Sequence, residues 1–396
     1  MGVGRENWIT GIGMVSCLGD GPDAHWQALE ELEPTPDTAN FAPYIVHPLA
    51  PIEFAREIPK KSDQRLMEQG QLIGAYAAGM ALQSAGLKGN PALLADTDLF
   101  VAAGGGERDL AVDSAILSGL RHAEASDVFL NRTLMSDLRP TLFLGQLPNL
   151  FAGNISILHG VTGASRTFLG EEAAGVDAVH IAAARIAAGQ SNITLVGGAC
   201  HGARKDWLLY VAAAGQALQG TFAPVFERAS RPGLALGSLG AFLVLEAAGH
   251  ARARGARAIA KLSLVLSDCA GRDPLARRAA LEHMWASLEP RLRPGQLALI
   301  SGATGAETAT AAERAFLAAH PNIPVRATGT HLGHGVEAQF VMNIALGVLT
   351  LMHGRLFRAA GSFEVERGLD GPVAQVIVTS LGRARGEGMA LLEAPT

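Results

Sequence analysis

Short apolar runs alternate with stretches of helical spacing along the whole chain. NWITGIGMVSCLG, near the N-terminus, reads as a strand ending in a glycine turn, and AHWQALEELE after it carries apolar residues at helical intervals. Residues 63–86, DQRLMEQGQLIGAYAAGMALQSAG, predict one long amphipathic helix with Gly86 as its stop. DTDLFVAAGGG is a buried strand running into glycines. From 173 to 189 only Asp177, His180 and Arg185 interrupt an apolar run, so that helix must be covered on nearly every side. NITLVGGA predicts another buried strand. FLVLEAAGHARARGARAIAKLSLVLSD predicts a strand, a basic linker over 249–257 and a second strand. Residues 34–62, rich in proline and polar residues, predict a surface loop.

The alternation then repeats. LALISGATG is a strand entering a glycine turn, ETATAAERAFLAAH a helix, IPVRATGTHLGH a strand entering a loop, and GVEAQFVMNIALGVLTLMHG a buried helix. AQVIVTSLG and GMALLEA close the chain as strands. Helices that are buried all round must lie between sheets, so the pattern predicts a layered, duplicated α/β architecture with halves at 1–250 and 251–396.

Composition narrows the chemistry. With 396 residues and 48% apolar content the chain can bury a large core, and 47 glycines imply tight turns and close backbone approaches. A net charge of -5 without a basic stripe gives no reason to expect nucleic acid as a partner. Cys17, Cys200 and Cys269 are widely spaced, so neither a disulfide framework nor a zinc site is expected, and a reducing cytoplasm suits them. No run of ~18 uncharged apolar residues free of glycine predicts a membrane span. The glycines of AGGGE lack the spacing of a dinucleotide fingerprint, and Ser165 does not sit in a nucleophile elbow, so no cofactor is expected.

Five segments carry a resemblance: TGIGMVSCLG, RPTLFLGQLPNLFAGNISILHGVTGAS, LVGGA, RPGLALGSLGAFLVLEAAGHARARGA and GTHLGHGVEA. In this order they resemble the β-ketoacyl-acyl-carrier-protein synthases of the thiolase-like superfamily, with Cys17 in place of a usual proline and Ser238 in place of a usual glutamate. The resemblance implies a thiolase-like duplicated five-layer αβαβα sandwich with two buried central helices. It also implies a catalytic set: a cysteine at a central helix start that accepts the acyl chain, two histidines for malonyl decarboxylation, and a lysine supporting one of them. In this chain the cysteine position falls on Glu172, the first histidine on Gly302 and the lysine on Gly329. His334 keeps the second histidine and Glu313 keeps an acidic residue. Leu381 and Arg383 stand where the family has the phenylalanines of a loop near the C-terminus.

These replacements change what chemistry is open. A thiolate at a helix start is stabilised by the helix dipole and stores an acyl group as a thioester. A carboxylate keeps the charge but would give a far more reactive mixed anhydride. Decarboxylation needs donors for the developing enolate oxygen, and Gly302 supplies none. The resemblance thus implies a condensation-defective subunit of the chain-length-factor type. Its expected partners are an acyl carrier protein, an acyl chain and a cysteine-bearing ketosynthase, in a homodimer or heterodimer. A second reading is a variant 3-oxoacyl-carrier-protein synthase or malonyl-carrier-protein decarboxylase using Glu172 and His334, and a third is an acyl-binding module. Against these stand plainer readings: Glu172 as a helix-start acid, Glu171 as structural, His331 as a loop histidine, His334 as a relic and Cys200 as a small buried thiol.

Overall fold

A computed structural model describes residues 4–395 except 32, 271–272, 362–363 and 370. The strands that set the architecture are, in the first half, β1 (Asn7–Ser16), β2 (Thr97–Ala102), β3 (Ser165–Phe168), β4 (Ile193–Cys200) and β5 (Leu239–Ala247). In the second half they are β6 (Ala260–Asp268), β7 (Leu297–Ser301), β8 (Val325–Ala327), β9 (Gln375–Leu381) and β10 (Glu387–Glu393). Their order is β8-β7-β9-β10-β6-β1-β5-β4-β2-β3. Numbered within its own half, each set of strands runs third, second, fourth, fifth, first. In both sets the two outer pairings are parallel and the two inner ones antiparallel. That identity is the duplication read from the sequence. A short antiparallel pairing of Asn7, Trp8 and Ile9 on β1 with β6 joins the two halves.

Parallel strands require crossovers, and the helices that make them fill the layers. Those used below are α1 (Gln69–Ser84), α2 (Asn149–His159), α3 (Glu172–Ala187), α4 (Pro274–Leu288), α5 (Glu307–Ala319) and α6 (Gln339–His353). α3 packs on β4 and β6, and α6 on β5 and β9, so both touch strands of the two halves at once. Around them lies the central core, with Val176, Val179 and Ile186 of α3 and Phe340, Ile344 and Val348 of α6. α1 and α2 cover the outside of the first half, α4 and α5 the outside of the second, each over its own apolar cluster. The result is the five-layer sandwich with two buried central helices. Close packing is built in: a Cβ at Gly13 of β1 would stand 2.1 Å from the Ala77 carbonyl oxygen of α1. Val336–His353 is apolar and long enough, by composition, to cross a membrane, but 89% of it is buried as the core segment leading into and through α6.

Several expectations need correction. The helix expected over 63–86 is broken: Lys61–Leu66 forms one short helix, Met67 is extended, and α1 begins at Gln69. The break places the Glu68 carboxylate on the Glu107 backbone N–H at 2.8 Å. α1 itself is buried over most of its surface rather than along one stripe. The segment 34–62 is not all surface, because Ile45, Val46, His47 and Ile58 are buried and Val46–His47 pairs with Leu236–Gly237. The basic linker is helical over Ala248–Ala253, and Arg254 turns back to bond Glu246 at 2.7 Å. His331 lies not in a loop but in the short buried helix Gly329–Leu332. Leu32, in the helix expected after β1, lies outside the described residues.

Candidate active site

The site grows from the turn between β3 and α3. Gly170 has φ 138° and Glu171 has φ 58°, ψ -130°, a conformation that a non-glycine residue holds only when its surroundings impose it. What imposes it is Arg383, which follows β9. Its buried guanidinium pairs with the Glu171 carboxylate, donates to Gln216 Oε1 at 2.8 Å, and lies over the Trp207 and Tyr210 rings at 5.6 and 5.1 Å. The Glu171–Arg383 pair is one that no sequence spacing marks.

The bend turns Glu172, the first residue of α3, into the core. Glu172 and His334 are 1% and 2% exposed, and Glu172 Oε1 lies 2.8 Å from His334 Nε2. Burial alone would raise the carboxyl pKa, but the hydrogen bond and charge interaction with His334 outweigh it. With help from the backbone amides of Glu172 and Arg383, they hold it below the ordinary glutamate value. Oε2 makes no hydrogen bond of good geometry among the described residues. His334 is held by its own backbone, donating to the Ala235 carbonyl at 2.7 Å and accepting from the Gly237 amide at 2.9 Å.

Gly302 and Gly329 lie along a second wall. Gly302 follows β7, and a Cβ there would stand 2.4 Å from the Thr379 carbonyl oxygen and 3.1 Å from Asn343 Nδ2. A Cβ on Gly329 would stand 2.6 Å from the Ala303 carbonyl oxygen. Neither position can carry a side chain without moving backbone. Polar groups of α6 fill the space beside them: Asn343 Oδ1 accepts from Thr328 Oγ1 at 2.7 Å and from Gln339 Nε2 at 3.0 Å. Glu313 of α5 takes no part in the Glu172–His334 pair. Its Oε1 accepts from the Ser301 hydroxyl at 2.9 Å and the Thr379 hydroxyl at 2.5 Å, and burial pushes its pKa up to about 7.

The thiols take no part in the pair either. Cys17 Sγ lies 3.3 Å from the His331 carbonyl oxygen, and burial pushes its pKa up to about 12. Burial also raises the Cys200 thiol above its ordinary value, and Cys269 is exposed. Among the described residues no cluster of histidine, cysteine and acidic side chains is arranged to hold a metal. Chemically, the site offers a buried carboxylate–imidazole pair and two backbone amides.

With fold and site in view, the comparisons with known proteins define the class. Residues 7–251 match the family model "Beta-ketoacyl synthase, N-terminal domain". The chain belongs to the β-ketoacyl synthase family. It is 27% identical over 271 residues to 3-oxoacyl-[acyl-carrier-protein] synthase 2 of Vibrio cholerae, covering 65% of this chain and 62% of the relative. The Rhizobium meliloti protein of the same name is 29% identical over 281 residues, with 65% and 63% covered. The matched region thus spans under two thirds of these relatives. Among solved structures, the ishigamide ketosynthase/chain length factor superposes with a TM-score of 0.79 at 19% identity, covering 99% of this chain and 100% of that one. A β-ketoacyl synthase from Burkholderia phymatum gives 0.77 at 18% identity with the same coverage. At these identities the likeness is one of fold, the thiolase-like ketosynthase fold.

Proposed function

We propose that this chain is a condensation-defective, chain-length-factor-like subunit that pairs with a cysteine-bearing ketosynthase in acyl chain elongation. The observation that carries the reading is the Glu172–His334 pair at 2.8 Å, because it commits both groups to each other at the place where the family resemblance puts the acyl-accepting sulfur. A carboxylate so engaged could store an acyl group only as a short-lived mixed anhydride. The glycines at 302 and 329 support the same reading, since the second wall is closed by carbonyl oxygens rather than merely short of side chains. Groups that act as one catalytic unit lose most of the rate when any is removed.

Pairing has its own support. β3 is a terminal strand of the sheet, Ser165 and Arg166 on it are exposed, and an uncovered strand edge is a template for another chain. Near it in sequence stand exposed apolar side chains, Met135 at 81%, Ile157 at 85% and Leu169 at 63%. One solved structure of the same fold is a ketosynthase in complex with an acyl-carrier protein, and another is a ketosynthase/chain length factor. By analogy the partners here are a ketosynthase and a carrier protein.

The test is reconstitution. Co-expressed with a cysteine-bearing ketosynthase of the same genome, the chain is expected to elute as a one-to-one heterodimer by light scattering, with condensation of malonyl-carrier protein in the mixture and none from this chain alone. A chain that remains apart from every such ketosynthase would refute the pairing. The buried carboxylate–imidazole pair also favours a second reading, a decarboxylase in which Glu172 and His334 act together. Carbon dioxide release from malonyl-carrier protein that disappears in Glu172→Ala would establish it.

A further inference from the structure

The second half carries a cleft of its own, at the end of its parallel strands opposite to Gly302 and Gly329. β7 starts at Leu297, on the cleft, and runs away from it to Ser301, while Ile323 and Pro324 lead from the cleft into β8. The cleft has a volume of about 360 Å³ and lies between the C-terminal ends of α4 and α5. Its lining is largely apolar: Trp285, Leu297 and Ile323 are buried, and Leu292 and Leu369 are half-buried. One wall is aromatic. The Trp285 ring of α4 lies 4.3 Å, centroid to centroid, from that of His320, the residue that caps α5, and both rings pack on Phe316, at 5.7 and 4.6 Å. An apolar recess of this size with an aromatic wall and few polar groups is the form that small-molecule sites take.

The charges around it have one sign left over. Glu289 and His320 are the ionisable residues among those lining the cleft. Helix C-termini carry a partial negative charge that favours cations, yet neither α4 nor α5 has a basic residue in its last turn. The end of α5 is served from elsewhere, since Arg367 donates to the Pro321 carbonyl at 2.7 Å and to the His320 carbonyl at 3.4 Å, and His320 Nε2 lies 4.0 Å from Glu282. The end of α4 instead carries a further negative charge, because Glu289 follows its last turn and makes no ion pair among the described residues. Of the arginines just beyond, Arg293 is bound to Glu393 at 3.1 Å and Arg291 does not line the cleft.

We infer that this cleft is a binding site for an arylalkylammonium ion, an aromatic ring on a short alkyl chain that ends in a primary ammonium. The ring packs against Trp285 and the leucines, and the ammonium meets the Glu289 carboxylate and the end of α4. Neither Glu172 nor His334 lines the cleft, so this site stands or falls independently of the function proposed above.

The experiment is equilibrium binding of phenethylamine and of its anionic counterpart hydrocinnamate to the full chain, followed by calorimetry and by tryptophan fluorescence. Phenethylamine is expected to bind one-to-one and at least ~tenfold more tightly than hydrocinnamate. Glu289 is exposed, so its substitution leaves the core intact. Glu289→Gln is expected to bring the two probes within ~threefold of each other, and Glu289→Lys to reverse their order. Trp285→Phe keeps a ring in the wall and removes the local fluorophore, so calorimetric binding should persist while the fluorescence response is lost. Equal affinity for the two probes, an order unchanged in Glu289→Lys, a fluorescence response that survives Trp285→Phe, or no binding of phenethylamine would each overturn the inference.

Discussion

The start of α3 and the wall at Gly302 and Gly329 are built in opposite ways. At the helix start a buried carboxylate, Glu172, faces His334, and Glu171 and Arg383 hold the backbone bend that aims it. Along the wall the positions are glycines, and neighbouring backbone lies so close that a side chain could not be added without moving it. The wall is packed instead, with Asn343, Gln339 and Thr328 bonded to one another beside the two glycines. Under the proposed function the pair serves shape rather than catalysis.

The two regions are expected to respond differently to substitution. The largest effect should come from the charge pair. His334→Ala leaves a buried carboxylate without its partner, which costs about 3–5 kcal/mol in urea unfolding, and adding Glu172→Gln to it should recover part of that loss. Full additivity of the two would show that the pair is not coupled. Next is Glu313, whose folded pKa of about 7 lies above the ordinary glutamate value of 4.5. The folded state therefore holds a proton between those values that the unfolded state has released, so stability is present on the acid side and is lost as pH rises through that window. Measured from pH 5 to pH 8, the unfolding free energy of Glu313→Gln relative to the unsubstituted chain should rise by up to about 3 kcal/mol. A flat difference would place Glu313 outside the wall's buried network. The smallest effect is at Gly302: an alanine there meets the Thr379 carbonyl and should cost about 1–3 kcal/mol in thermal unfolding, whereas a neutral substitution would mean that the wall is open.

Much of the architecture could be read along the chain, because two buried helical runs and the repeated strand-and-helix alternation leave few ways to cover so much apolar surface. The halved 63–86 helix could not, since Met67 has no feature that marks it as extended, and the break serves a contact between Glu68 and Glu107, far away in sequence. In the site, the GEEAAG stretch was enough to point at Glu172 and the LGH stretch at His334, because each lies inside a segment with a family counterpart. Arg383 was noticed only as a missing phenylalanine. Its ion pair with Glu171 joins residues 212 positions apart, and no spacing rule reaches that far.

The central claim is that the carboxylate of Glu172 occupies an acyl-accepting place without accepting acyl groups. Intact-mass spectrometry of the purified chain, incubated alone with an acyl-pantetheine and malonyl-carrier protein, tests it most directly. The account predicts an unmodified mass and no condensed product. An acyl adduct mapped to Glu172, or to Cys17 or Cys200 with condensed product beside it, would contradict it.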